Sequence, residues 1–358
     1  MGKSVKNPLI IPVFLPHLGC RERCLFCNQK VTAPEAPSPS SVGKFIEASL
    51  SGLPFGKNGR ERQVGFYGGS FTAIDREDQI HYLDEVGPFL SSGQIDSIRI
   101  STRPDALDEQ TLSLLKEYGV RTVEIGAQSM IDEVLSASRR GHRAEDTLSA
   151  VSRLRQWGFE TGLHLMIGLP GDTRDHFFQT LDRMIDLKPD FLRIHPALVL
   201  RGALLENLWR AGKYSPLPLG ETVQWLKRGL QKLEKASIPV ARIGLQPTKE
   251  LEDHYLAGPY HPALHQLVDS AMFFDMASHL LEISGKEPDP AFYCHPAEIS
   301  NVRGQRNGNI ATLKKRFGLR EISVRGRNDV PKSVLILQSE AGEKSIHRRD
   351  LLILGDSG

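Results

Sequence analysis

LIIPVFLPHLGCRERCLFCNQK, residues 9–30, is the stretch on which the reading of this chain turns. Its first eight residues are apolar and rich in β-branched side chains, as in a buried strand. Three cysteines follow, Cys20, Cys24 and Cys27, in the spacing C-x3-C-x2-C, and the next cysteine is Cys294. In a parallel α/β protein the loop after a strand lies at the carboxyl edge of the sheet, where sites are built. Thiolates so spaced can wrap one metal centre from a single loop. Structural zinc wants four ligands, often as two C-x2-C pairs; with no second pair here, His17 would have to complete a Cys3His set. A four-iron cluster normally takes four thiolates, so three leave one iron for another ligand. Three uncomplexed thiols on one loop would be an oxidation hazard.

Outward from this loop the chain alternates short apolar runs with amphipathic ones. RQVGFYGG (62–69), SIRISTR (97–103), TVEIGAQS (122–129), HLMIGLPG (164–171), FLRIHPALVL (191–200) and IPVARIGL (238–245) read as buried strands. Between them VGKFIEASL (42–50), DREDQIHYLDEVGPFL (75–90), LDEQTLSLLKEYG (107–119), AEDTLSAVSRLRQWG (144–158), TRDHFFQTLDRMIDL (173–187) and ETVQWLKRGLQKLEKA (221–236) read as helices. VTAPEAPSPSS (31–41) is a Pro- and Ser-rich loop. Repeated strand–helix units predict right-handed crossovers and a parallel sheet. The glycine fingerprint of an open doubly wound sheet is missing after the first strand, which favours a partial (βα)6 TIM-like barrel.

Past residue 250 the rhythm changes. Residues 261–284 read as one or two helices, AFYCHP (291–296) as a strand and NGNIATLKKRFG (307–318) as a helix. EISVRG, SVLILQ and LLIL read as short strands of a small α+β module. The expected fold class is α/β, with a core barrel over 1–250 and a small C-terminal α+β lid or substrate domain over 251–358.

The composition is that of an ordinary globular protein, 40% hydrophobic and 25% charged over 358 residues. The net charge of +2 is unevenly spread: residues 301–358 hold 12 Lys and Arg against 6 Asp and Glu, which leaves −4 for the rest. A basic tail is a hint of a polyanionic partner. The N-terminal apolar run is broken by Pro8, Pro12 and Pro16, unlike a signal peptide, and no stretch is long enough to span a bilayer. Crowded cysteines do not make a disulfide framework. A cytoplasmic protein without membrane contact is expected.

With Phe26 before its third cysteine, the C-x3-C-x2-C loop resembles the radical S-adenosylmethionine (SAM) superfamily. Further motifs carry the resemblance to its Elongator catalytic subunit-like branch: FYGGSF (66–71), ISTRPD (100–105), VEIGAQS (123–129), RRGH (139–142) and LMIGLPG (165–171). The resemblance implies a [4Fe–4S] cluster on Cys20, Cys24 and Cys27, with SAM chelating the open iron. It implies that Gly68, Gly69 and Ser70 receive the SAM amino group, and that Ser101 and Glu124 contact its ribose or methionine part. Arg140 would meet the SAM carboxylate, and Ile167 and Gly168 would lie against adenine. Taken singly, each motif also reads as a turn, a cap or a surface charge.

The family activity so implied is reductive cleavage of SAM to a 5′-deoxyadenosyl radical, fed by a reductant such as flavodoxin or ferredoxin. HPALVLRGALLENLWRAGKYSPLPLGETVQWL (195–226) and ARIGLQ (241–246) also resemble the Elongator-like branch, which points to modification of tRNA or another RNA. No acetyl-coenzyme A loop is evident after residue 250, so acetyl transfer is not expected. The basic segment 303–327, with only Glu321 opposing eight cations in sequence, is the expected RNA contact, against the plainer reading of a solvated face. Cys294 invites a lesser expectation, a radical hydrogen donor or fourth ligand, against that of a small buried hydrophobe. Two rival readings stand beside these: a radical SAM enzyme for a small metabolite, and a non-catalytic Fe–S or SAM-binding protein.

Overall fold

A computed structural model describes residues 8–32, 35–52, 60–285, 289–339 and 342–351. The chain divides into two compact units, Met1–Pro216 with Leu245–Gly258, and Leu217–Gly244 with Pro259–Gly358. The sequence suggests one crossing near residue 250; the backbone crosses three times.

In the first unit six strands run parallel in sequence order: β1 (Leu9–Leu15), β2 (Arg62–Gly68), β3 (Ser97–Thr102), β4 (Val120–Gln128), β5 (Glu160–Ile167) and β6 (Phe191–Pro196). They form the curled sheet of a partial barrel, as the strand–helix rhythm predicts. The period of two along each strand sets the two faces. Ile98 and Ile100, Val123 and Ile125, and Leu163, Leu165 and Ile167 are buried on one face. Each such side chain contributes about 1.5–3 kcal/mol when fully buried. Tyr67, Arg99, Glu124, His164 and Arg193 occupy the alternate positions and bond to one another, which marks the other face as polar.

Several helices start where a side chain satisfies the orphan amides of the first turn. Asp108 accepts from Thr111 N before helix Glu109–Glu117, and Thr173 accepts from His176 N before helix Arg174–Asp186. The register of β4 against β5 shifts between Ile125 and Gln128, and Gln128 has φ +68°. Such an irregularity re-aims the end of a strand, and it is common beside sites.

The observed elements refine the expected ones. The fifth strand begins at Glu160, four residues before the predicted start, and GLPG lies beyond its end. The predicted helix 75–90 is two pieces, Arg76–Asp84 and Gly87–Ser91, with Pro88 opening the second. FLRIHPALVL is β6 followed by a separate two-residue strand, β7 (Val199–Leu200). Helices Asp132–Ala137 and Leu204–Arg210 were not predicted; each is too short for a clear helical period. After β8 (Val240–Ile243), which belongs to the second unit, β9 (Tyr255–Ala257) pairs antiparallel with β7.

The second unit is built on the 21-residue helix Leu264–Ser284. Phe273, Met276, Ala277, Leu280 and Leu281 pack with Phe292, Cys294, Leu335 and Leu337 from a four-stranded sheet. Its order is β11 (Ser323–Gly326), β10 (Ala291–Cys294), β12 (Val334–Ser339), β13 (Gly342–His347). Strand β13, GEKSIH, was missed because its polar residues lack an apolar alternation. The expected strand LLIL falls, after Leu351, outside the described residues. Helix Leu219–Lys235, expected among the barrel helices, joins this unit through Lys227, whose Nζ stands 2.5 Å from Asp275 Oδ2.

Candidate functional site

The cysteine loop leaves β1 through a tight turn and is tied down by backbone on three sides. Cys20 N donates to His17 O (3.1 Å) and Cys27 N to Cys24 O (3.1 Å), so the loop folds on itself. Ser70 N donates to Leu18 O (2.8 Å), which joins it to the turn after β2. Leu25 N donates to Ser138 O (3.1 Å), and Leu25 O accepts from Leu205 N (2.7 Å). Gln29 closes the start of the loop, accepting from His17 N and donating to Gly68 O.

Glycine is required where the two loops cross. A Cβ on Gly69 would stand 2.1 Å from Leu18 O, and one on Gly19 would stand 2.2 Å from Ser70 O. Gly19 also has φ +71°, the left-handed region that glycine occupies without strain. The GGS turn and the cysteine loop therefore fit only as a pair.

The thiols lie in a setting that asks for a cationic centre. Burial, then the neighbouring Cys24 and Cys20, pushes the Cys27 thiol up to about 12, and burial likewise raises Cys20. Without a metal these groups stay protonated; as ligands they are thiolates. Arg140 Nη1 donates to Cys24 Sγ (3.2 Å), Nη2 donates to Gly126 O, and the buried Nε has no partner. A guanidinium on a ligand sulfur is the outer hydrogen bond that iron–sulfur centres use for tuning. Among the described residues no three His, Cys, Asp or Glu side chains are grouped around the position of a single ion. A cubane takes one thiolate per iron and holds them further apart. The loop, its sulfur-directed arginine and the glycine crossing fit such a cluster.

On the polar face of the sheet stands a charge network that the sequence reading missed. Glu124 is fully buried and accepts from Arg99 Nη1 (2.7 Å), Arg193 Nε (2.7 Å) and Tyr67 Oη (3.2 Å), with His164 Nε2 at 2.6 Å. Burial alone would raise its pKa; His164, Arg193 and Arg99 outweigh that and hold the carboxyl well below the usual carboxylate range. Arg99 also donates to Gln63 and lies over the Phe191 ring, and Arg193 lies over Tyr67. The signal for this network was in the strands: SIRIST, TVEIGA, GLHLMI and FLRIHP each carry a polar side chain at alternate positions of an apolar run.

The residues assigned by resemblance are placed as follows. Gly68 and Gly69 form the turn against the cysteine loop, but the Ser70 side chain is buried, bonded to Thr102 Oγ1 (3.0 Å) and accepting from Arg103 N (3.1 Å). Glu124, expected at the ribose or methionine part of SAM, has its carboxylate engaged with Arg99, Arg193, Tyr67 and His164 as described. Ser101 Oγ is buried without a partner, so it has an unused bond to offer. Ile167 is wholly buried, its side chain in the apolar core. Gly168 N donates to Asp172 Oδ2 (2.9 Å) and Gly168 O accepts from Tyr214 Oη (2.7 Å), so that loop is held from both sides. Burial lifts the Asp172 carboxyl to about 6, against the pull of the Gly168 and Thr173 amides. Phe26 packs beside Met166, Ile131, Val134, Leu169 and Ala197. Cys294 lies in the second unit's core at 0% exposure, where burial pushes its thiol up to about 11.

The basic segment is less basic in space than in sequence. Arg316 pairs with Glu282, Arg320 with Asp289, Lys314 with Glu321, and Arg327 with both Asp329 and Glu343. Arg303 donates to the Val324 carbonyl. Carboxylates outside the segment therefore pair three of the eight cations counted there, and Glu321 within it pairs a fourth.

Comparison with known proteins agrees with this architecture. The profile of the radical SAM superfamily matches residues 14–184, and that of the Radical_SAM C-terminal domain matches residues 189–273. A tRNA uridine(34) acetyltransferase of Methanocaldococcus infernus is 34% identical over 261 residues, 62% of this chain and 48% of its own length. The heme chaperone HemW of Bacillus subtilis is 27% identical over 173 residues, 48% of this chain and 46% of its own. The chain spans 48–60% of the length of three tRNA uridine(34) acetyltransferases among the curated relatives that it matches. Among solved structures, Methanocaldococcus infernus Elp3 with an N-terminal deletion superposes with a TM-score of 0.59 at 22% identity, covering 75% of this chain and 63% of that one. This last likeness is one of fold. No helix among the described residues is long and apolar enough to cross a membrane.

Proposed function

The chain belongs to the radical SAM superfamily, enzymes that work with a [4Fe–4S] cluster and SAM, and we propose that it turns this chemistry on a uridine-containing RNA, with tRNA first among the candidates. When bound, cluster and SAM supply one-electron cleavage of the sulfonium, giving methionine and a 5′-deoxyadenosyl radical. In this reading Cys20, Cys24 and Cys27 hold three irons, and Arg140 donates to the Cys24 sulfur. Backbone of the Gly68–Gly69 turn, the Ser101 hydroxyl and the Ile167–Gly168 backbone line the place of SAM. The Glu124 network makes a fixed polar floor to the barrel, one carboxylate among two guanidinium groups and an imidazole. A flavodoxin- or ferredoxin-like protein of the cytoplasm is the proposed electron source, and a reducing compartment suits the free thiols.

The observation that carries the enzymatic part is the interlock of the cysteine loop with the glycine turn, where neither Gly19 nor Gly69 tolerates a side chain. The RNA part is supported by likeness to the tRNA uridine(34) acetyltransferases. The test is anaerobic reconstitution, then reduction with dithionite in the presence of SAM, with and without total tRNA. The expected result is 5′-deoxyadenosine whose yield rises with tRNA, and none from Cys24→Ala. Purified protein carrying zinc, or a cluster that never cleaves SAM, would overturn the enzymatic reading; indifference to tRNA would overturn the choice of substrate.

A further inference from the structure

We propose that the cavity between the cysteine loop and the β7–β9 ribbon is a phosphate site, taking a phosphate of a nucleotidyl substrate, free or within an RNA strand. It rests on the RNA reading above for the choice of substrate, and on its own lining for the chemistry. The cavity measures about 450 Å³, within the range of roughly 300–1,000 Å³ typical of small-ligand pockets. Its charged lining has one sign: the guanidinium groups of Arg23 and Arg201 stand around it with the polar side chains of His17, His254 and Asn28, and no Asp or Glu among the described residues lines it. Of the three loop cysteines only Cys27 borders it, and neither Gly68 nor Gly69 does, so this is not the space that the three thiols share.

The two arginines are free for such a role. Arg23 is exposed and makes no ion pair or side-chain hydrogen bond among the described residues. Glu206, whose charge Arg201 feels, is already held by Arg210 (2.8 Å) and by Gly202 N (2.7 Å). The walls are also preformed. Asn28 Nδ2 donates to Arg201 O (2.7 Å) and Arg201 N donates to His254 O (2.8 Å), which staples the cysteine loop to the ribbon at the cavity itself. His254 is oriented by its Nδ1 on Glu250 O (2.8 Å). Two guanidinium forks match the several oxygens of a tetrahedral phosphate, monoester or diester, better than a single carboxylate. The concave form suits a small group rather than the broad surface of an acidic protein. The segment 303–327, with half of its cations in ion pairs, is the weaker candidate for the same task.

The experiment uses the full chain, anaerobically reconstituted, and a fluorescein-labelled short oligouridylate read by anisotropy at low and at high salt. UMP and uridine serve as competitors. The expected result is displacement by UMP but not by uridine, with weaker binding at high salt. Displacement by UMP comparable to that by unlabelled oligouridylate assigns the site to a free nucleotide; a large advantage of the oligomer assigns it to a strand. R23A/R201A should lose at least about tenfold in affinity, the scale of one or more charge-assisted bonds, and R23K/R201K should recover part of it. R306A/R325A should bind like the parent. Equal competition by uridine and UMP, or an unchanged affinity of R23A/R201A, would overturn the proposal. So would a double variant that binds normally yet is reduced more slowly by flavodoxin, which would give the cavity to a protein partner. SAM cleavage without substrate and iron content keep the two readings apart: R23A/R201A should retain both. A parent protein that binds oligouridylate and never forms 5′-deoxyadenosine loses the enzymatic reading and keeps the cavity.

Discussion

Arg140 and Cys24, 116 residues apart, meet with Nη1 at 3.2 Å from Sγ. A reduced cluster carries one more negative charge, so a donor to its sulfur favours the reduced form. Arg140→Gln should therefore make the cluster harder to reduce. A differential of about 1.4 kcal/mol between the two redox states corresponds to about 59 mV for one electron. An anaerobic redox titration followed by electron paramagnetic resonance measures it, and an unaltered potential would remove Arg140 from this role.

Gly69→Ala should break the site and Gly87→Ala should not. The first Cβ would stand 2.1 Å from Leu18 O and 2.7 Å from Leu15 O, whereas Gly87 has open space around it. Backbone cannot yield there without moving the cysteine loop. Iron bound after reconstitution is the measurement, with severe loss expected for the first variant and parental content for the second.

Glu124→Gln should cost about 3–5 kcal/mol, because Arg99 and Arg193 would be left without their counter-charge. Roughly 10 °C in Tm is the corresponding scale for a domain of this size. The sign with pH follows from a folded pKa held below the usual range. The stabilisation is complete above the ordinary carboxylate value of about 4.3 and is lost as pH falls through the folded value. Melting curves of parent and variant should thus stay a constant interval apart at neutral pH and converge only in strong acid.

His142 should make the protein acid-sensitive at milder pH. Burial, then Arg140 and Arg103, pulls its pKa down to about 3, and its Nε2 lies 3.2 Å from Ala127 O. The unfolded chain takes up a proton near pH 6.5 that the folded chain refuses until about pH 3. Stability is therefore lost as pH falls through that window. His142→Gln should flatten the decline between pH 6 and 4 in thermal melts; an equal slope in both proteins would assign the loss to other groups.

Tyr214→Phe removes the hydroxyl that donates to Gly168 O and should loosen the loop after β5. If that loop lies against the SAM adenine, the KM for SAM rises several-fold while iron content stays parental. A change in iron content with KM constant would point to a structural role alone.

The fold was legible because its determinants are local. Alternating burial in Ile98, Ile100, Val123 and Ile125, the caps Asp108 and Thr173, and the spacing of Cys20, Cys24 and Cys27 all lie within a few residues in the chain. Errors arose where local signals were weak. Helix Asp132–Ala137 has too few residues to show a period, and GEKSIH has no apolar alternation.

What the sequence determined by itself is the parallel barrel, the sulfur triad at the end of its first strand, and the glycines that let the second turn approach it. What only the tertiary structure decided is how charges pair. Glu124 finds partners 25, 40, 57 and 69 residues away, and Glu282, Asp289 and Glu343 reach back to arginines that look unopposed in the sequence. Secondary structure follows from torsional preference and the spacing of apolar side chains, both of which are set over short distances. A charge is free or spent according to which other strand the register brings within about 4 Å of it, where Coulomb energy is large, and nothing local encodes that distance.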